Sequence, residues 1–266
     1  MAFRAFPFLP STEEGETVVR VAGSLFDCQE QMAGNSLSSQ RLGGGSVPNV
    51  ALQVPPGHLA TLSENLARFH RSTARLSLDL EHEPCPLPER LRALATEAGR
   101  FCENLPRKIR KAERGAREVA LRWLTLLPAA TTVAREVAVE LPEGQPDTEV
   151  LCHGDLWPAH VRFDGESFAG FTDFESLAFA SPAFDLAQLV AHFGSWESCE
   201  NVVRHYETLR LLSKRDRAAL PVEGIADLAA EGLWSLGSLY GDLSLLTISK
   251  GINGADAGTT ARYRRA

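Results

Sequence analysis

The chain has 266 residues, of which 44% are hydrophobic and 23% charged, and its formal net charge is -7. That length buries a real core, as one large domain or as two lobes, and the balance is that of an ordinary globular protein. The acidic charge argues against a surface built for nucleic acid or an anionic membrane, and no apolar run reaches the roughly 20 residues needed to span a bilayer.

Cys28, Cys85, Cys102, Cys152 and Cys199 are scattered, with no CxxC spacing. Neither a zinc knuckle nor a disulfide framework is expected, and reduced thiols in a cytoplasmic protein are the simpler reading. Residues 1–10 carry one arginine, two prolines and no long apolar region, so no signal peptide is expected.

In chain order, Thr17 to Val21 is rich in β-branched residues, Ala22-Gly23 signals a turn, and Ser24 to Glu30 returns as a second strand. Gly34 to Pro56 reads as a loop, with Ser, Asn, Gln, three consecutive glycines and paired prolines. Gly43-Gly44-Gly45-Ser46 follows no strand closely and precedes no Gly-Lys-Ser/Thr, so it reads as a flexible loop rather than a phosphate cradle. From His58 the pattern is helical, with Leu59, Leu62, Leu66 and Phe69 on one face. Pro84, Pro86 and Pro88 break it. Leu91, Leu94, Ala98 and Phe101 restart the stripe, and Pro106 ends it.

Residues 107–127 predict a further helix, and Pro128 begins one more, through Val139. Val150-Leu151 is a short strand. Val161 to Phe163 and Phe168 to Phe171 form a hairpin around Asp164-Gly165, a strong turn pair. Phe184 to Phe193, Val202 to Leu212 and Ile225 to Ile248 are helical, and Leu233 to Ile248 reads as a buried amphipathic segment. From Lys250 the chain is rich in Gly, Thr and Ala, and disorder is expected there; Arg262 to Arg265 reads as a frayed terminus.

The chemistry concentrates in residues 151–175. Asp155 lies on a loop after a strand, two residues beyond His153. A carboxylate so placed can take a proton from a substrate hydroxyl. Asp173 closes an apolar run after the hairpin. The bland alternatives are a capping aspartate on a surface loop for Asp155 and an exposed strand end for Asp173.

Cys152-His153-Gly154-Asp155-Leu156-Trp157-Pro158-Ala159-His160 and Phe171-Thr172-Asp173-Phe174-Glu175 resemble the catalytic and metal-binding segments of the aminoglycoside phosphotransferase and choline kinase family. That family is related to the protein kinases. Its members show His-Gly-Asp-Leu-x-x-x-Asn and Ile-Asp-Phe/Trp-Glu at these places. Ser181-Pro182-Ala183-Phe184-Asp185-Leu186-Ala187 resembles the family's Pro-x-x-Asp-Leu-Ala helix start, and the helix of residues 59–70 resembles its Leu-Ala-x-Leu-His helix. The resemblance runs over about residues 17 to 248 and is strongest from 151 to 190.

The resemblance implies an α+β, protein-kinase-like fold: a mostly helical C-terminal lobe, a catalytic β-hairpin and a shortened N-terminal β-lobe. On that expectation residues 1–34 are the remnant of the small lobe and the hinge, 35–57 a loop, 58–249 the large lobe, and 250–266 a disordered tail. It implies transfer of the ATP γ-phosphate to a hydroxyl of a small molecule, with Asp155 as catalytic base and Asp173 on the Mg²⁺ that bridges nucleotide phosphates. His153 and Asp185 would support the catalytic loop structurally; for Asp185 an acidic residue in a helix's first turn says nearly the same. Metal ligation is the bolder alternative for His153.

His160 is the departure, standing where the family carries a metal-binding asparagine. Mg²⁺ prefers hard oxygen ligands, and an imidazole shifts preference toward softer ions. His160 then binds a metal such as Mn²⁺, or leaves one ion site instead of two, or marks a dead site; simple packing at the hairpin's start is the plain alternative. The phosphate clamp also departs. No lysine precedes Lys108, and Arg20 is the only basic residue on the early strands. The expectation is therefore an N-terminally truncated family member whose first small-lobe strands are gone or whose start is misplaced. The competing readings are a non-catalytic, pseudokinase-like binding module and a metal-dependent hydrolase built on His153, Asp155, His160 and Asp173. The acceptor is unnamed. Glu113, Asp227, Glu231 and Asp242 could meet a cationic one or be solvated helix faces, and Trp123 and Trp234 could wall its site or belong to the core.

Overall fold

The computed structural model describes residues 18–21, 24–27, 35–36, 54–73, 87–112, 114–141, 149–174 and 176–240. The chain divides into two compact units. One comprises residues 1–46 with 158–172; the other comprises 47–157 with 173–266.

The first unit holds the strands expected near the front. β1 (Val18–Val21) and β2 (Ser24–Asp27) pair antiparallel, with Val18 opposite Asp27. The turn between them, Ala22-Gly23, and residues 28–34 lie outside the described residues. The same unit contains a three-stranded sheet in the order β3-β5-β6, built from β3 (Asn35–Ser36), β5 (Val161–Asp164) and β6 (Ser167–Phe171). β3 corrects the loop expected over Gly34 to Pro56. Its two polar residues pair through backbone groups with Phe163 and Arg162, which side-chain composition does not reveal. The β5–β6 turn is Gly165-Glu166 rather than Asp164-Gly165. Gly165, at φ +59°, occupies the first central position, where a type II′ turn needs positive φ. Phe168 meets Phe163 and Phe171 edge-on, with ring centroids 5.7 and 4.9 Å apart.

Among its described residues the second unit is helical apart from one strand pair. α1 (Pro56–Thr73) buries Leu59, Leu62, Leu66 and Phe69, the predicted stripe. α2 (Leu87–Asn104) buries Leu91, Leu94, Ala98 and Phe101. Pro88 does not break this helix: it sits in the first turn, where no intrahelical N–H is required of it. Pro106 opens the short α3 (Pro106–Ile109), and α4 follows as one helix over Arg114–Val139.

The continuity of α4 through Pro128 corrects the two-helix expectation. Proline removes the N–H that would bond the Leu124 carbonyl. Cys102 of α2 replaces it: its thiol donates to Leu124 O at 3.2 Å, and burial, foremost, raises its pKa and keeps it protonated. Core packing of α2, α4 and α7 (Lys214–Tyr240), through residues such as Leu94, Phe101, Leu127, Val222 and Leu233, supplies the rest.

α7 starts eleven residues before the expected Ile225. The signal is a capping box overlooked in the sequence. Asp216 N–H donates to Ser213 Oγ at 3.0 Å, and Ser213 N–H donates to Asp216 Oδ2 at 3.3 Å. The segments 241–248 and 250–266, expected to be helical and disordered, lie outside the described residues. α5 (Ala183–Phe193) matches its predicted span closely, whereas α6 (Cys199–Glu207) begins three residues earlier and ends five residues earlier than expected. β4 (Val150–Cys152) pairs antiparallel with β7 (Ala178–Ala180), which the sequence did not announce. No helix among the described residues is long and apolar enough to cross a membrane.

Candidate functional site

β4 ends at Cys152 and delivers the chain into residues 153–156, where four consecutive amides each find a side-chain acceptor. His153 N–H donates to Asp185 Oδ2 at 2.6 Å and Gly154 N–H to Asp185 Oδ1 at 3.0 Å. Asp155 N–H donates to His153 Nδ1 at 3.3 Å, and Leu156 N–H to Gln188 Oε1 at 2.9 Å. Asp185 and Gln188 are three residues apart on α5, hence on one face, and both are buried. A loop with no strand partner thereby gains a fixed backbone.

Asp185 is itself held from behind. His70 Nε2–H donates to its Oδ2 at 3.0 Å, and the Tyr206 hydroxyl donates to His70 Nδ1 at 2.8 Å. Burial alone would push the Asp185 carboxyl up. The His70 hydrogen bond, the favourable electrostatics of the His70 and His153 rings, and the Gly154 amide outweigh it, so its pKa lies below the ordinary value. Burial pushes the Tyr206 hydroxyl far up, which keeps it a donor. His70, Cys152 and Asp185 place one ligand-type atom each within 4.8 Å of one another. Both ring nitrogens of His70 and both oxygens of Asp185 already have partners, and burial, foremost, keeps the Cys152 thiol protonated. His70 and Asp185 form a hydrogen-bonded brace, and the Cys152 thiol donates to Ser181 O at 3.5 Å, so the trio is not a vacant metal shell.

Asp173 and the residues after it belong to the same unit as Asp155. Phe174 packs on the buried His153 ring, centroids 5.1 Å apart, and also on Phe69 at 6.1 Å. Gly154 lies against the Ser176 carbonyl: a Cβ at position 154 would come within 2.0 Å of that oxygen, and its φ is +82°. Only glycine fits there. Phe174 and Ser176 are therefore pressed on His153 and Gly154, one peptide from Asp155. Asp173 is exposed and has φ +64°, the one positive φ at a non-glycine among the described residues. Such a conformation costs energy and is held by the packing on either side. Asp155 is half-buried.

His160 falls in the other unit. It ends a 3₁₀ turn, Pro158–His160, and its carbonyl accepts the Thr172 N–H at 2.8 Å, closing the neck of the β5–β6 hairpin. Glu175, Glu113 and Asp242 lie outside the described residues. Asp227 is not a free acidic group: it accepts from Gln188 Nε2 at 3.0 Å and from His192 Nε2 at 2.8 Å. Glu231 is partly buried, and its carboxyl is raised, foremost by burial. Trp123 packs on Gly232 of α7, while Trp234 is half exposed. Gln188, Tyr206 and His70 were given no role from the sequence. The usable signal was their type: polar residues inside apolar helical stripes, which a fold buries only with partners.

The model of the phosphotransferase enzyme family matches residues 7–221. The chain belongs to that family. The α+β, protein-kinase-like fold expected from the motifs is the fold found, and solved phosphotransferase structures share it. An aminoglycoside phosphotransferase from Alicyclobacillus acidocaldarius is 16% identical, with 96% of this chain and 73% of that one covered and a TM-score of 0.57. The AMP-bound complex of a spectinomycin phosphotransferase is 11% identical, with coverages of 90% and 72% and a TM-score of 0.55. A macrolide 2'-phosphotransferase from Brachybacterium faecium is 17% identical, with coverages of 88% and 71% and a TM-score of 0.50. A search of curated proteins finds no match.

Proposed function

We propose that this chain transfers the γ-phosphate of ATP to a hydroxyl of a small molecule, with Asp155 as the base and Asp173 as the metal-holding carboxylate. The observation that carries the reading is the packing of Phe174 and Ser176, which follow Asp173 closely, on a loop whose amides are fixed on both sides of Asp155. Phosphoryl transfer asks for little besides positioning and charge neutralisation, and a rigid loop meets the first need. Asp155, half-buried and with its backbone fixed, would accept the hydroxyl proton.

The donor set fits a hard divalent ion in part. Asp173 offers an exposed carboxylate whose backbone is set by Phe174, as Mg²⁺ or Mn²⁺ requires. When bound, the ion supplies charge neutralisation of the phosphates. By sequence His160 stands where the family carries a metal-binding asparagine, and an imidazole suits Mg²⁺ less well than an oxygen, which favours Mn²⁺ or a single ion. Support for a nucleotide comes from solved relatives, described as AMP-bound and as in complex with ADP and spectinomycin. His153 and Asp185 act as supports of the loop.

A non-catalytic binding module is the second reading, favoured by His160 and by the lack of lysine before Lys108. Thermal shift with millimolar MgATP and MnATP, together with nucleotide turnover, separates the two. The proposal expects a rise in melting temperature and turnover that Asp155→Asn abolishes. No nucleotide-dependent shift with either metal would overturn it.

A further inference from the structure

We propose that Gln188 is a positioning residue for Asp155 and that Asp227 makes helix α7 its anchor. The inference rests on the reading of Asp155 as the base. Asp185 fixes the loop only up to Gly154. Gln188 spans the residue that matters: its Oε1 accepts the Leu156 N–H at 2.9 Å, and its Nε2 donates to the Gly154 carbonyl at 3.2 Å. These are the two peptide groups on either side of Asp155. A neighbouring β-strand would engage a residue in the same way, through one donor and one acceptor. Of the long side chains, only glutamine presents both in one plane.

The carboxamide has its own clamp. The second Nε2 hydrogen goes to Asp227 Oδ1 at 3.0 Å, which fixes which end of the amide faces Leu156. Asp227 Oδ2 accepts from His192 Nε2 at 2.8 Å. The His192 ring stacks on Trp157, centroids 4.2 Å apart and planes at 27°. The chain of contacts thus leaves the loop at Gly154 and Leu156, passes through Gln188, Asp227 and His192, and returns at Trp157. It closes a ring around Asp155. Plain satisfaction of a buried amide would need none of this closure, and bonds to any backbone groups would serve it.

The test uses the full chain without nucleotide. Amide hydrogen exchange is followed by mass spectrometry in wild type, Gln188→Met, Gln188→Glu and the double variant Gln188→Glu/Asp227→Asn. Gln188→Met should speed exchange in the peptide covering 150–157 at least tenfold and leave α2 and α4 unchanged. Gln188→Glu should do the same, because the new carboxylate cannot donate and faces Asp227. The double variant should recover only part of the protection, since an asparagine amide can donate to that carboxylate and leave its other oxygen for Leu156 N–H, while the Gly154 carbonyl still lacks a donor. In the same preparations, kcat for MgATP turnover should fall at least tenfold in Gln188→Met with KM for ATP unchanged. Unchanged exchange at 150–157, or equal acceleration across α2 and α4, overturns the proposal, as does a KM change with kcat intact. Wild type without turnover removes the phosphotransfer reading instead, and the exchange data still decide whether Gln188 holds the loop.

Discussion

Asp185→Asn replaces one carboxylate oxygen by an NH₂ group at nearly constant volume. In the native site Oδ2 receives two donors, His153 N–H and His70 Nε2–H, and Oδ1 receives Gly154 N–H. The best orientation of the new amide keeps its oxygen in the Oδ2 place and turns its NH₂ onto the Gly154 N–H. The Gly154 N–H and the new NH₂ then face each other without acceptors, costing together about 2 kcal/mol or more, and two charge-assisted bonds become neutral, costing about 1 kcal/mol each. The expected loss is about 4 kcal/mol, a large part of the roughly 5–15 kcal/mol that holds a domain folded. Urea unfolding followed by tryptophan fluorescence reads it as a lower midpoint at constant slope. The pH dependence checks the cause. The folded-state pKa of Asp185 lies below its ordinary value. Its contribution is therefore complete above the unfolded pKa of about 3.9 and drains away as pH falls through the folded value. The gap between wild type and variant should be full at neutral pH and narrow in acid. A neutral-pH loss under about 1 kcal/mol, or a gap that widens in acid, would refute the account of the brace.

Gly154→Ala should be worse tolerated than its size suggests, since the added carbon meets the Ser176 carbonyl and φ is positive; a loss of at least about 2 kcal/mol and altered exchange in the peptide covering 171–177 are expected. Arg90 of α2 and Glu223 of α7 form a buried ion pair, and Arg90 also lies 4.8 Å over the Phe184 ring. Arg90→Met alone should cost about 3–5 kcal/mol in urea unfolding, whereas Arg90→Met with Glu223→Leu should recover most of it. Cys102→Ala should cost about 1 kcal/mol, and Pro128→Ala should cancel that cost by returning an N–H to Leu124 O, a coupling readable in a double-mutant cycle.

The candidate site was legible wherever the signal is local. The spacing of His153, Gly154, Asp155 and Asp173 identified the family, and apolar periodicity located α1, α2 and α5. Prolines misled where they were read as helix boundaries. Pro106 does separate two helices, but Pro88 falls in the first turn of α2, and Pro128 sits inside α4 because tertiary packing outweighs the missing bond. β3 and β7 were invisible because two- and three-residue strands carry no periodicity. Asp227 was weighed as a group for a cationic acceptor. It is engaged with Gln188 and His192 instead, a pairing thirty-five to thirty-nine positions apart that no local pattern records. Tyr206 reaches His70 across 136 positions for the same reason.

The central claim is that the carboxylates of Asp155 and Asp173 serve one bound nucleotide–metal complex. Paramagnetic broadening by MnATP, measured on the amides of a uniformly labelled chain, tests it most directly. Resonances of residues 153–156 and 173–176 should broaden together, and Asp173→Asn should restore both sets. Broadening confined to residues remote from both segments, or unchanged by Asp173→Asn, would contradict it.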